Sequence, residues 1–143
     1  MPAVYEHFHT VLPEEIDALG HANNLRYLKW AIDAAVAHSA VQGWPSKAYR
    51  ELGAGWVVRA HQIEYLRPTF AGEEIIIRTW VADFRKVTSL RRYRMIRRSD
   101  GRLLASAATD WAFVNYETGK PLRVPPEVSA CFQVVEGEDP SPY

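Results

Sequence analysis

Between Trp56 and Tyr116 four long strand-like segments follow one another with nothing helical between them. They are Trp56 to Leu66, Glu73 to Phe84, Thr88 to Arg98 and Leu103 to Tyr116, punctuated by Arg67-Pro68 with Gly72, by Arg85-Lys86 and by the hairpin dipeptide Asp100-Gly101. Strands in direct succession pair antiparallel, because a parallel neighbour needs a long crossover. Upstream stand a short β-like start (Val4 to Leu12), a loop opened by Pro13 and Glu14-Glu15 that runs through Gly20, and one helical run. The class is therefore α+β: one strand, one long helix, then four strands.

The helix is read over Leu25 to Gln42, with Asn23 as its N-cap and Gly43 and Pro45 as its stop. Leu25, Leu28, Ile32, Ala35, Val36 and Ala40 recur at helical spacing and give the expected buried face. Tyr27, Trp30, Ala31, Ala34, Ala37 and Val41 fill the other side, leaving Arg26, Lys29 and Asp33 as the polar stripe, so the helix should be wrapped by other elements. One helix covers only one face of such a sheet. The crossing segments are apolar in both registers (Trp80, Val81, Ala82; Ala105, Ala107, Ala108; Trp111, Phe113), which predicts that the second face packs on another subunit.

Composition narrows the function classes. With 143 residues, 48% of them hydrophobic, the chain can bury a core of its own, and no internal linker divides it, so one domain over 1–135 is expected, followed by an acidic, proline-bearing tail at 136–143. Seventeen Lys plus Arg offset 17 Asp plus Glu, which argues against a general nucleic-acid binder. Cys131 is the single cysteine, so neither an intramolecular disulfide nor a thiolate zinc site is expected. The first ten residues lack a signal-peptide pattern, and no run approaches the roughly 20 apolar residues of a membrane span. The expectation is a cytoplasmic protein without a membrane partner. His7 and His9 share a strand face but lack an evident third ligand, so no metal site is expected. Gly53-Ala54-Gly55 precedes a strand, the wrong context for a dinucleotide fingerprint, and reads as a tight loop.

Two stretches carry chemistry. The first is Glu15 to Tyr27, where Asp17, His21, Asn23 and Asn24 gather in a loop that feeds a helix N-terminus. Unpaired amides and the helix dipole favour an oxyanion there, and a carboxylate beside them suits a nucleophile or a general base for water. The competing reading is that Asp17 and Asn23 only cap the helix and that His21 is an ordinary histidine. The second is Arg85 to Arg98, where seven of fourteen residues are Arg or Lys. For Arg91, Arg92, Arg94, Arg97 and Arg98 the plain reading is a solvated strand face or subunit pairing.

The pattern from Asp17 through Trp30, Asp-x-x-Gly-His-x-Asn-Asn-x-x-Tyr-Leu-x-Trp, resembles the signature of hot-dog-fold thioesterases of the 4-hydroxybenzoyl-CoA and acyl-acyl-carrier-protein types. Tyr65-x-x-Pro68 with Gly72-Glu73, and Glu117-Thr118-Gly119-Lys120-Pro121, agree, and the resemblance covers nearly the whole chain. It implies an antiparallel sheet wrapped around one long central helix. It also implies an acyl-CoA thioesterase needing no cofactor, with acyl-CoA or an acyl carrier protein as substrate and a homodimer or homotetramer as the assembly. Asp17 matches the catalytic carboxylate, the backbone amide of Asn24 an oxyanion donor, and His21 the accessory histidine of the plant-type enzymes. Those enzymes carry an asparagine where this sequence has Leu19. Arg85, Lys86, Thr88 and Ser89 fall where the family contacts the phosphates of coenzyme A, chemistry that suits arginine. Tyr27, Trp30 and Trp56 are the candidate apolar surround of the acyl group. Two rivals stand beside this reading: a non-catalytic acyl-CoA sensor, and an enoyl-thioester hydratase or dehydratase on the same fold. The hydratase pattern Asp-x-Asn-Pro-x-His is not matched by Asp17 to His21.

Overall fold

In the computed structural model, which describes residues 3–136, β1 (Tyr5–Thr10), β2 (Ala54–Tyr65), β3 (Glu74–Phe84), β4 (Thr88–Arg97) and β5 (Leu103–Asn115) form one antiparallel sheet in the order β1-β3-β4-β5-β2. The long helix α1 (Asn24–Val41) lies on its inner face, and two shorter helices, α2 (Ser46–Leu52) and α3 (Pro126–Ser129), close one end. Pro13–Glu15 turns once as a 3-10 helix inside the expected loop. The expected tail at 136–143 lies outside the described residues apart from Glu136. Among the described residues no helix is long and apolar enough to cross a membrane.

The four downstream strands sit within two residues of their expected bounds, and Gly101 takes the positive φ of 70° that the Asp100-Gly101 turn demands. The α2 helix was not expected from sequence: its seven residues are too few to show a period, and Gly53 (φ 78°) ends it in the left-handed region.

The face of α1 differs from the expected one. Tyr27, Trp30, Ala31, Ala34, Ala35 and His38 are the buried residues, whereas Leu25 is 73% exposed and Val36 and Val41 stand about half in solvent. The sheet side takes small alanines, which let the helix approach β1 and β3 closely, with the Tyr27–Trp30 pair filling the space at one end. The larger aliphatics from Leu25 through Leu28 and Ile32 to Val36 form a second stripe, exposed at Leu25 and Val36 and half-buried between them.

Inward residues alternate along the strands. Ile75 and Ile77 of β3, Tyr93 and Met95 of β4, and Leu104 and Ala105 of β5 pack under α1. A second cluster, centred on Tyr49, Val81, Phe113, Val128 and Phe132, fills the end closed by α2 and α3. Each such large side chain contributes about 1.5–3 kcal/mol by leaving water. On the outer face Trp80 is 1% exposed and shares a shallow hollow of about 430 Å³ with Arg92, Arg94, Gln62 and Glu64. Arginine stems thus cover part of the apolar face.

Candidate active site

An isolated antiparallel bridge between Ile16 and Ala22 pinches the intervening residues into a tight loop. Asp17 N–H donates to His21 O at 3.0 Å, Gly20 N–H donates to Asp17 O at 3.0 Å, and Gly20 supplies the positive φ of 89° that the turn requires. Asp17 Oδ1 accepts from Leu19 N–H at 2.9 Å, while Oδ2 has no protein partner among the described residues. The loop is tied down at its exit: Ala22 N–H donates to Thr69 O and Asn23 N–H to Glu15 O, each at 2.9 Å. His21 Nδ1–H donates to the Ala22 carbonyl at 3.3 Å.

The helix begins as its sequence requires. Asn23 Oδ1 accepts from Leu25 N–H at 2.9 Å, satisfying one of the four orphan donors. The next donor, Asn24 N–H, has no acceptor among the described residues, so the helix presents a free amide beside the Asp17 loop. The far end of β2 holds this start in place through Tyr65 Oη, which donates to Asn24 O at 2.9 Å.

Glu15, read from sequence only as a loop opener, is a buried anchor. Its Oε1 accepts from Leu12 N–H and from His9 Nε2–H, both at 2.8 Å, and its Oε2 accepts from the Trp30 indole at 2.7 Å. Burial acts to raise its pKa, but the bonds from Leu12, His9 and Trp30 together outweigh burial and hold it below the ordinary carboxylate value. The carboxylate therefore joins β1, the 3-10 turn and α1 directly behind the Asp17 loop. One strand partner at i−6 and one helix partner at i+15 leave no local spacing by which sequence alone would find it.

The remaining predicted residues fall at the other end of α1. An apolar cavity of about 240 Å³ opens between the second half of α1, α2 and the inner sheet face, and Trp56 and Ser89 line it. Ser89 is buried, its Oγ donating to Asp83 O at 2.7 Å, so it sits inside with the cavity and not on the surface with Arg85 and Lys86. Arg85 and Lys86 are exposed at the β3–β4 turn, Arg85 Nε lying 3.4 Å from Asp83 Oδ2, and Thr88 is half-buried. Tyr27 is a core residue, its ring 4.8 Å from that of Trp30 and edge-on to Tyr65 at 5.1 Å, and it does not line the cavity. From Asn24 to Ala35, a cavity wall, the helix axis advances roughly 16 Å. The structure thus places Asp17, His21 and Asn24 at the start of α1, and Trp56 and Ser89 beside its second half.

Arg91 departs most from its expected place. It is 6% exposed and borders the cavity, where a solvated strand face or subunit pairing was the plain reading. The signal was in the alternation: Arg91, Tyr93 and Met95 share one strand face, and the latter two are core.

The thioesterase-like superfamily matches this chain over residues 11–132. Among solved structures, a 1,4-dihydroxy-2-naphthoyl-CoA thioesterase from Synechocystis superposes with a TM-score of 0.83 at 13% identity, over 90% of this chain and 94% of that one. A hypothetical protein from Staphylococcus aureus, solved in complex with CoA, gives 0.83 at 18% identity, over 90% and 80%. A gentisyl-coenzyme A thioesterase gives 0.80 at 18% identity, over 87% and 99%. The order of strands, the single long helix and the match through 122 residues lead to one assignment: the chain belongs to the thioesterase-like superfamily, has the hot-dog fold, and is a thioester hydrolase.

Proposed function

We propose that the protein hydrolyses an acyl- or aryl-CoA thioester to the free acid and CoA-SH, with Asp17 as general base or nucleophile. The observation that carries this reading is that the Asp17 carboxylate, with one oxygen unpaired, stands on the loop that leads into α1, whose first amide, Asn24 N–H, has no acceptor among the described residues. Water activated by Asp17, or the carboxylate itself, adds to the thioester carbon. The oxyanion that develops is met by Asn24 N–H and the C–S bond breaks; on the water route the thiolate takes the proton that Asp17 removed, and on the nucleophile route water opens the acyl–Asp17 anhydride, giving the free acid and Asp17 and supplying the proton that the thiolate takes. A preorganised donor of this kind contributes about 3–4 kcal/mol to the transition state. His21 serves as an accessory group on the same loop, and the exposed Arg85 and Lys86 meet the phosphates of coenzyme A. The solved neighbours that act on CoA thioesters, or hold CoA, support CoA as the thiol.

We infer further that two copies pair through β2, joining the two halves of the site. Support comes from β2 being an edge strand of twelve residues and from the open apolar stripe of α1. Antiparallel pairing about the middle of β2 sets the Trp56 end of one copy against the Tyr65 end of the other. The cavity of one copy then faces the Asp17 loop of the second.

Thiol release from short, medium, long-chain and aryl-CoA thioesters, compared between wild type and Asp17→Asn, tests the catalytic assignment. Asparagine retains an oxygen for Leu19 N–H, so the loop keeps its cap while the base is lost. The expected fall in kcat/KM is about 10²–10⁴-fold. An unchanged rate would reduce Asp17 to a structural cap, the reading that its bond to Leu19 favours.

A further inference from the structure

The lining of the cavity at the second half of α1 is of two kinds. Trp44, Tyr49, Trp56, Phe84, Trp111 and Phe132 make it aromatic, yet Arg91 borders it from β4. Ser39, Tyr49, Trp56 and Ser89 in the lining bond within the protein, while the Trp111 indole N–H is buried without an acceptor among the described residues. Ser39 Oγ donates to Trp44 O at 2.7 Å and stands 2.9 Å from Tyr49 Oη, which also accepts from the Trp56 indole at 3.2 Å, and Ser89 is held by Asp83 O.

Arg91 is not satisfied in this way. Its Nη1 donates to His38 Nδ1 at 2.9 Å and to Thr79 Oγ1 at 3.0 Å, which uses both protons of that nitrogen. The Nε–H and the two Nη2–H, which form a bidentate fork, have no acceptor among the described residues. Among the described residues no carboxylate pairs with it: the groups that act on the guanidinium electrostatically include the hydroxyls of Tyr93 and Tyr49, and its carbon lies 5.9 Å from the Phe132 ring centre. His38 supplies no compensation. It accepts from Arg91 through Nδ1, and burial, with the adjacent positive charge, pushes its pKa down to about 3, so it is neutral. The lining as a whole contains Arg91 and Arg50 and no acidic residue.

A guanidinium cannot shed its proton, and burying one without an anion is costly. An aromatic cavity alone would select an apolar group; with an unpaired, buried guanidinium in its lining it selects an apolar group that ends in an anion. The volume is above the roughly 150 Å³ that accepts benzene, so a substituted aryl ring or a chain of about six carbons fits. Resting on the thioesterase reading above, we propose that the acyl group of the substrate carries a carboxylate at the end remote from the thioester, and that the Nε and Nη2 edge of Arg91 binds it. Arg91 is then a specificity-determining residue, and the substrates are ω-carboxyacyl or carboxyaryl thioesters.

Two arms test this, one without catalysis. Quenching of the cavity tryptophans is followed during titration with benzoate and with its neutral isostere benzamide. Benzoate should bind at least about tenfold more tightly, as expected for a charge-assisted bidentate contact, and Arg91→Met should remove that preference. Because Arg91→Met has a changed core, Arg91→Lys is measured beside it and should retain part of the preference. In the second arm, kcat/KM is compared within the pairs benzoyl-CoA and 4-carboxybenzoyl-CoA, and hexanoyl-CoA and adipoyl-CoA. The acid-bearing member should lead by about tenfold or more in wild type, with the ratio near one in Arg91→Met. Wild-type protein that binds benzamide as well as benzoate, or that hydrolyses the neutral member of each pair equally well, overturns the proposal. Absence of all thioester hydrolysis together with a benzoate preference would retain the anion site and reject the thioesterase reading.

Discussion

Replacing Glu15 by Gln tests whether a buried carboxylate holds the Asp17 loop in place. The glutamate accepts three bonds, from Leu12 N–H, His9 Nε2–H and the Trp30 indole, and its side chain is 5% exposed. A glutamine side chain there can turn its oxygen toward Leu12 and His9, but its NH₂ then faces the Trp30 N–H, and two donors oppose each other in the core. An orphaned buried donor costs about 1–3 kcal/mol, and the two surviving bonds lose the extra strength of an ionic acceptor. The total is about 2–4 kcal/mol, equivalent to a melting-point fall of roughly 6–12 °C for a chain of this size. Urea and thermal denaturation at pH 7 measure it. The pH dependence carries a second check. The folded pKa of Glu15 lies below its ordinary value of 4.5, so its contribution is complete above that pH and is lost as the pH falls through the lowered folded value. The gap between wild type and Glu15→Gln should therefore close under acid. Equal stability at pH 7, or a gap that stays constant down to pH 3, would refute the reasoning.

Three other outcomes follow from the geometry. A Cβ on Gly55 would overlap the Tyr116 hydroxyl and lie 3.1 Å from Tyr49 Cβ, so Gly55→Ala should cost about 1–3 kcal/mol; adding Tyr116→Ala should recover much of the loss in a double-mutant cycle, whereas simple additivity would contradict the steric cause. Asn23→Ala removes the cap on Leu25 N–H and should lower stability by about 1 kcal/mol in urea, with Asn23→Asp close to wild type. If α1 pairs with a second copy through its open stripe, sedimentation should show a dimer, and Ile32→Asp should yield monomers with lowered activity; a wild-type monomer with full turnover would exclude the shared site.

How far each element was legible depends on the range over which it is specified. The strands from Ala54 to Asn115 are written locally, by alternation and by turn dipeptides such as Asp100-Gly101, so their bounds could be read directly. The N-cap at Asn23 is also local, since its acceptor and the Leu25 donor are two residues apart. The buried face of α1 is not, because both of its sides are apolar. Which side meets the sheet is decided by the close approach that Ala31, Ala34 and Ala35 permit, a property of the pair of surfaces and not of the helix. Glu15 and Arg91 were missed as site residues for a related reason. Charge makes each look solvated, and only the fold brings Trp30 to the one and His38 to the other.

The neutral net charge conceals a polarity along α1 that bears on substrate orientation. Glu14, Glu15 and Asp17 precede its start, whereas Arg91 and Arg50 border the cavity beside its second half, with Arg85 and Lys86 at the neighbouring β3–β4 turn. On the proposed reading, an acyl group entering with its carboxylate inward meets Arg91 and leaves its thioester at the cavity mouth. The phosphates of coenzyme A then remain outside, near Arg85 and Lys86. The reverse orientation would bury the larger, polyanionic moiety in a space of about 240 Å³, which is too small for it. A carboxylate-bearing acyl group is thus oriented by charge at one end and by size at the other. A neutral acyl group of the same length would have only the second constraint, and Arg91 would remain buried without an anion.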